Sequence, residues 1–171
     1  MKLFLTVGSM LPFDRLTRAL DDWAAQHPQA QVFGQVGRGG YQPRHFEAVE
    51  MLTPSEYRGR MLWSDLVVSH VGMGTVIAAA ELVRPLLLMA REVKRAEVTS
   101  DHQMATARWL SGRPGIVAAA DEQELIERLA TVQTWGWPDA MGAASPRLLG
   151  RLRELADSVS PRGPASPTGA P

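Results

Sequence analysis

The chain has 171 residues, 45% of them apolar, and its 18 basic and 18 acidic side chains leave a formal net charge of zero. That length suits one domain with its own core, and the absence of net charge leaves no broad field to recruit nucleic acid or an anionic membrane. Cysteine is absent, which excludes disulfides and thiolate metal sites and suits a cytosolic protein.

"KLFLTV" (2–7) reads as a buried first strand, ended by Gly8-Ser9. Phe13, Leu16, Leu20 and Trp23 then recur at helical spacing through "FDRLTRALDDWAAQ" (13–26), with Pro12 suited to open that helix. "AQVFGQVG" (30–37) is a second strand, "GRGGYQP" a glycine-rich loop and "HFEAVEML" (45–52) a third strand. Thr53, Pro54 and Glu56 spell a capping box that opens a helix running to Ser64. "DLVVSH" (65–70) is the fourth strand, "GTVIAAAELV" (74–83) its following helix and "PLLLMA" (85–90) the fifth strand. After the polar loop "REVKRAEVTS", "DHQMATARWL" (101–110) is helical and "GIVAAA" (115–120) is the sixth strand. Asp121 caps a helix from 122 to 132. A last amphipathic helix is expected over 145–159, with Leu148, Leu152, Leu155 and Val159 on one stripe. The tail, 159–171, has the composition of a disordered end. Alternation of helices with continuously apolar strands predicts a doubly wound α/β fold, a Rossmann-like parallel sheet, as one domain over 1–158. No stretch is long and apolar enough for a membrane span, and the start lacks the apolar core of a secretory signal.

In such sheets ligands sit beyond the carboxyl ends of the strands. The strongest signal there is "HVGMGT" (70–75). Gly72 and Gly74 would let backbone approach a ligand, and the helix opening near Thr75 would present free amides and a positive dipole end, a ready diphosphate site. Thr75 would add its hydroxyl and His70 a ring N–H. A tight strand-to-helix turn around a buried histidine explains the same residues without a ligand. Ile77 stands where a dinucleotide fingerprint needs its third glycine, and no Gly-Lys-Ser/Thr follows for a phosphate-binding P-loop. Asp101, His102 and Gln103 cluster at a helix start, where they suit sugar hydroxyls or plain capping. Glu81, seven residues beyond Gly74, reads equally as a ribose contact from the second turn or as a solvated helical glutamate. Tyr41 and Trp63 read as packing residues, and Trp135 and Trp137 as pinning an irregular segment. No metal-ligand spacing is present, so no obligatory metal or other cofactor is expected.

Taken together, "TVGS", "SDLVVSHVGMGT", "AAAELVRPLLLMAR" and "DHQMATA" resemble the C-terminal, donor-binding half of GT-B glycosyltransferases of family 28, over residues 1 to about 120. The likeness is greatest to stand-alone small subunits of two-subunit transferases: bacterial exopolysaccharide-biosynthesis subunits, and the small subunit of the dolichol-linked GlcNAc transferase. The resemblance implies that His70, Gly72, Met73, Gly74 and Thr75 form the loop holding the donor diphosphate. It implies that Gln103 bonds the transferred sugar, with Asp101 and His102 nearby. It places uracil against backbone around Leu52, with Gln35 and Gly37 in a donor-site loop and Gly8 and Ser9 facing the cleft. Two positions depart from the pattern. Ala78 stands where many relatives carry the ribose-binding glutamate, with Glu81 one turn on, and Val98 stands where a histidine is expected.

The implied substrate is a UDP-sugar, and the implied fold is half of an enzyme. The chain opens at Met1 directly with the donor-domain strand, so the acceptor domain is expected on a membrane-anchored partner subunit that presents a lipid-linked acceptor. Localisation would then be cytoplasmic, peripheral at the inner face of the membrane through that partner. Transfer also needs a general base. This chain offers none that convinces; His102 is the one candidate, and a sugar contact suits it better. A non-catalytic nucleotide-sugar-binding regulator and a sugar-nucleotide epimerase-like protein are the alternatives.

Overall fold

The computed structural model describes residues 1–132. The expected last helix with its leucine stripe, the tail, Trp135 and Trp137 lie outside the described residues. Six strands form one parallel sheet in the order β3-β2-β1-β4-β5-β6. They are β1 (Lys2–Thr6), β2 (Gln31–Gln35), β3 (Glu47–Val49), β4 (Leu66–His70), β5 (Leu86–Met89) and β6 (Ile116–Ala119). The helices are α1 (Asp14–Gln26), α2 (Pro54–Trp63), α3 (Met73–Leu82), α4 (His102–Leu110) and α5 (Glu122–Thr131), with a short 3₁₀ turn at Val93–Arg95.

Continuously apolar strands are buried on both faces, and the period of two sorts their side chains. Leu3, Leu5, Leu66, Val68, Leu87 and Met89 pack with α1 and α5 on one face. Phe4, Val67, Leu86 and Leu88 pack with α2, α3 and α4 on the other. The helices start where local chemistry supplies partners for their orphan amides. Thr53 Oγ1 accepts from Glu56 N–H at 3.3 Å while Glu56 Oε2 accepts from Thr53 N–H at 2.8 Å, the capping box expected. Asp121 Oδ1 accepts from Glu124 N–H at 2.9 Å.

Most boundaries fall within a residue or two of the sequence expectation, and two of the differences bear on the site. β3 covers three residues rather than the eight of 45–52, because its upstream backbone is committed elsewhere: His45 N–H donates to Asp21 Oδ1 at 2.8 Å and so cannot join the ladder. The helix after β4 opens at Met73 with Gly72 as N-cap, one residue before the expected 74–83 span, so the free amides begin at Met73.

Asp21, on α1 and 1% exposed, fastens the glycine-rich segment after β2. It accepts from Tyr41 Oη at 2.8 Å, from Arg44 N–H at 3.0 Å and from His45. Burial pushes its pKa up, but the bonds from Arg44, Tyr41 and His45 outweigh it and hold the carboxyl below its ordinary 3.8. A depressed folded pKa contributes stability that is present above the unfolded pKa and is lost as pH falls through the folded one. Asp21→Asn is therefore expected to cost about 2 kcal/mol at neutral pH. In thermal melts the gap between the variant and the wild type should narrow as the pH drops below about 4. A gap that stays constant through that range would contradict the assignment.

Candidate functional site

At the carboxyl edge of the sheet lies a cleft of about 370 Å³, lined by the β1–α1 loop, Gln35, the start of α2, the β4–α3 turn and Arg91. Parallel register builds it: Thr6 pairs with Gln35 on one side and with Ser69 on the other, so the strand ends lie side by side. Gln35 ties the floor together, its Oε1 accepting from Thr6 Oγ1 at 3.2 Å and its Nε2 donating to Gly8 O at 3.4 Å.

His70 is wedged between two glycines. A Cβ added at Gly8 would stand 2.6 Å from its Cε1, and one at Gly72 would overlap its Nε2. Gly8 also has φ +81°, in the left-handed region. Desolvation by burial, reinforced by the nearby Arg91 charge, pushes the His70 pKa from 6.5 down to about 4, against a smaller opposing effect of the Thr6 carbonyl. The ring is neutral at pH 7. Its Nδ1 lies 3.3 Å from Ser69 Oγ, whose own hydroxyl donates to Thr6 O at 2.8 Å. Assigned from that pattern, the ring proton sits on Nδ1 and points inward, and Nε2 is an acceptor. The ring N–H expected to face a ligand is thus turned away from it.

The amino end of α3 supplies the donors instead. Its first intrahelical bond runs from Val76 N–H to Gly72 O at 3.1 Å, so the amides of Met73, Gly74 and Thr75 precede the ladder. Thr75 Oγ1 accepts from Tyr57 Oη at 3.2 Å, which leaves the threonine proton to donate. A Cβ at Gly74 would meet nothing within 4 Å.

Of the residues singled out in the sequence, Gly8, Ser9, Gln35, Leu52, His70, Gly72, Gly74 and Thr75 line this cleft. The others stand apart from its wall. Gly37 is packed against Pro12, 3.1 Å from where its Cβ would be. Met73 contributes backbone at the helix start, and Glu81 is an exposed residue of the same helix. Asp101 is the N-cap of α4 without a capping bond of its own, and its Oδ1 lies 3.4 Å from Val93 N. His102 is exposed, its Nδ1 2.7 Å from Ser100 Oγ. Gln103 is buried, with Oε1 accepting from Arg91 N–H at 3.2 Å. Thr6, Met10, Met51, Pro54, Tyr57 and Arg91 line the cleft and were not singled out. Arg91 had a legible signal: it is a charged residue directly after an apolar strand, at the edge where ligands bind. Tyr57 had none, since a tyrosine inside a helix reads as packing. No group of three or more metal-ligating side chains occurs among the described residues.

The sequence profile of the glycosyltransferase family 28 C-terminal domain matches residues 2–134. The chain belongs to this family. Among curated proteins nothing matches it. Among solved structures, ALG13 is similar with a TM-score of 0.63 and 20% identity, over 88% of this chain and 93% of that one. The kitacinnamycin glycotransferase gives 0.57 and 18% over 91% of this chain, and MurG of Acinetobacter baumannii gives 0.50 and 15% over 88%. This family 28 domain spans 38% of the kitacinnamycin enzyme and 49% of MurG. At these identities the likeness is one of fold: a Rossmann-like parallel sheet corresponding to the C-terminal half of a GT-B enzyme.

The clamp on His70 predicts its behaviour. Its depressed pKa means that the unfolded chain binds the extra proton first, so stability is lost as pH falls from about 6.5 toward about 4. An NMR titration should show this ring neutral, with Nδ1 protonated, down to near that lower value. Gly72→Ala should displace the ring and cost roughly 1–3 kcal/mol in urea denaturation; an unchanged ring and unchanged stability would contradict the packing described.

Proposed function

We propose that this domain binds a UDP-sugar in the cleft and serves as the donor half of a glycosyltransferase. The single observation that carries the reading is the amino end of α3, where Gly72, Gly74 and Thr75 line a cleft in a domain of family 28 and the amides of Met73, Gly74 and Thr75 precede the helical ladder. An anion at such a helix end gains about 0.3–1 kcal/mol from the dipole alone, and up to about 2 where partly buried. The Thr75 hydroxyl adds a directed donor. Leu52, Met51 and Pro54 line the cleft beside α2, where the uracil would lie.

Transfer forms a bond from an acceptor oxygen to the anomeric carbon and breaks the bond to UDP. UDP leaves with that electron pair, and a base takes the acceptor's proton. Helix amides aimed at the leaving diphosphate stabilise the charge that develops there, without an obligatory metal. The cleft wall holds no convincing base. Neutral His70 has an acceptor nitrogen, but it lies close beside Gly72, where an added Cβ would overlap it. In this reading a membrane-anchored partner supplies the base and a lipid-linked acceptor, as the resemblance to two-subunit exopolysaccharide transferases implies. The sequence-level case for peripheral attachment at the inner membrane face rests on that partner. No described helix is long and apolar enough to cross a membrane.

Titration calorimetry should detect UDP binding by the wild type, weakened about tenfold or more by Gly74→Val. A Cβ at this position enters open space, so the variant is expected to fold, which its melting temperature checks. Sugar transfer should require the partner subunit, and robust transfer by this chain alone would refute the divided enzyme. Undiminished UDP binding by the valine variant would refute the diphosphate site.

A further inference from the structure

We propose that Arg91 is the charged ligand of the donor diphosphate, so that the leaving group is held between one guanidinium and the amino end of α3. This rests on the donor-site reading given above. Arg91 is the one formally charged side chain at neutral pH among the residues lining the cleft. It is 3% exposed, yet none of the ion pairs among the described residues includes it. The carboxylate whose charge acts on it is that of Glu97, which Arg15 takes at both oxygens, at 2.7 and 2.9 Å.

What Arg91 does have is incomplete. Nη2 donates to Val7 O at 2.9 Å and to Leu11 O at 2.6 Å, and the Phe13 ring lies 5.1 Å from Cζ. Its Nε is buried without a partner. A buried cation without an anion is costly, and native structures retain one where a partner arrives. The fold brings the anion's proposed seat close. His70 pairs with Met89 in the β4–β5 register, so Arg91 leaves β5 beside the turn that opens α3. Its charge is also felt at the His70 ring. With the His70 proton turned inward, the guanidinium is the strong side-chain donor left to meet a doubly charged group.

The two bonds to Val7 and Leu11 also make Arg91 a strut for the β1–α1 loop, and the test must separate the roles. Uridine, UDP, UDP-glucose and UDP-glucuronate are titrated into the wild type, Arg91→Gln and Arg91→Lys, with melting temperatures recorded. Arg91→Gln should weaken UDP by about tenfold or more, as expected for losing a charged hydrogen bond, and leave uridine within about twofold. Arg91→Lys should lose less UDP affinity and still leave uridine unchanged, which keeps the test alive if the glutamine variant does not fold. Equal losses for uridine and UDP would reduce Arg91 to a strut and overturn the proposal. So would unchanged UDP affinity, or a loss confined to UDP-glucuronate, which would assign the guanidinium to a sugar carboxylate. If the wild type binds no uridine compound, the donor-site reading fails first and this inference with it.

Discussion

The parallel pairing of β1 with β4 sets the geometry on which the cleft depends. It brings the backbone at Gly8 and the imidazole of His70 to the same level at the sheet edge, with Thr6 opposite Ser69. A side chain as large as histidine fits there only because both neighbours lack a Cβ. Gly8 covers one part of the ring and Gly72 another. The same contact desolvates much of the ring, which favours its neutral form, and its Nδ1 engages Ser69. Gly72 is also the N-cap of α3. The orientation of the helix amides is therefore tied to the seating of the ring.

A second constraint fixes the opposite wall. Arg15 of α1 grips Glu97 with two bonds, reaches Glu122 of α5 at 3.0 Å and donates to Ala90 O at 2.9 Å. Bidentate geometry in a mostly buried setting makes this cluster more than a surface ion pair. It clamps the segment that leaves β5 against the two helices of one face, so Arg91 emerges from a backbone held on both sides. Sequence alone reads this stretch as a polar loop, because the partner that fastens Glu97, Arg15, lies 82 residues earlier.

Elements whose signals are local were legible. The Thr53–Glu56 box, the Asp121 cap and five of the six strands follow from neighbouring residues and apolar runs. β3 was overextended because its competitor for hydrogen bonds, Asp21, lies 24 residues earlier. α3 starts one residue before the expected 74–83 span, because Gly72 is its N-cap, and Thr75 accepts from Tyr57 inside the first turn. Eight singled-out residues meet in one cleft because glycines, a histidine and hydroxyls at strand ends mark the edge itself. Arg91 reaches the same cleft from just beyond β5, where its charge after an apolar run is readable, whereas Tyr57 reaches it from a helix and only tertiary packing brings it there.

Gln103 joins these two levels. The resemblance implies a sugar contact for it, yet it is buried behind the cleft wall, where its Oε1 accepts the Arg91 amide. Removing that acceptor would leave a buried N–H unsatisfied and loosen the residue that carries the cleft's one charge. α4 thus bears on the cleft through backbone, whatever its exposed residues Asp101 and His102 meet. A sugar that reached α4 would therefore touch the same hydrogen-bonded unit that positions the guanidinium, so recognition of the sugar and stabilisation of its leaving group would share one support.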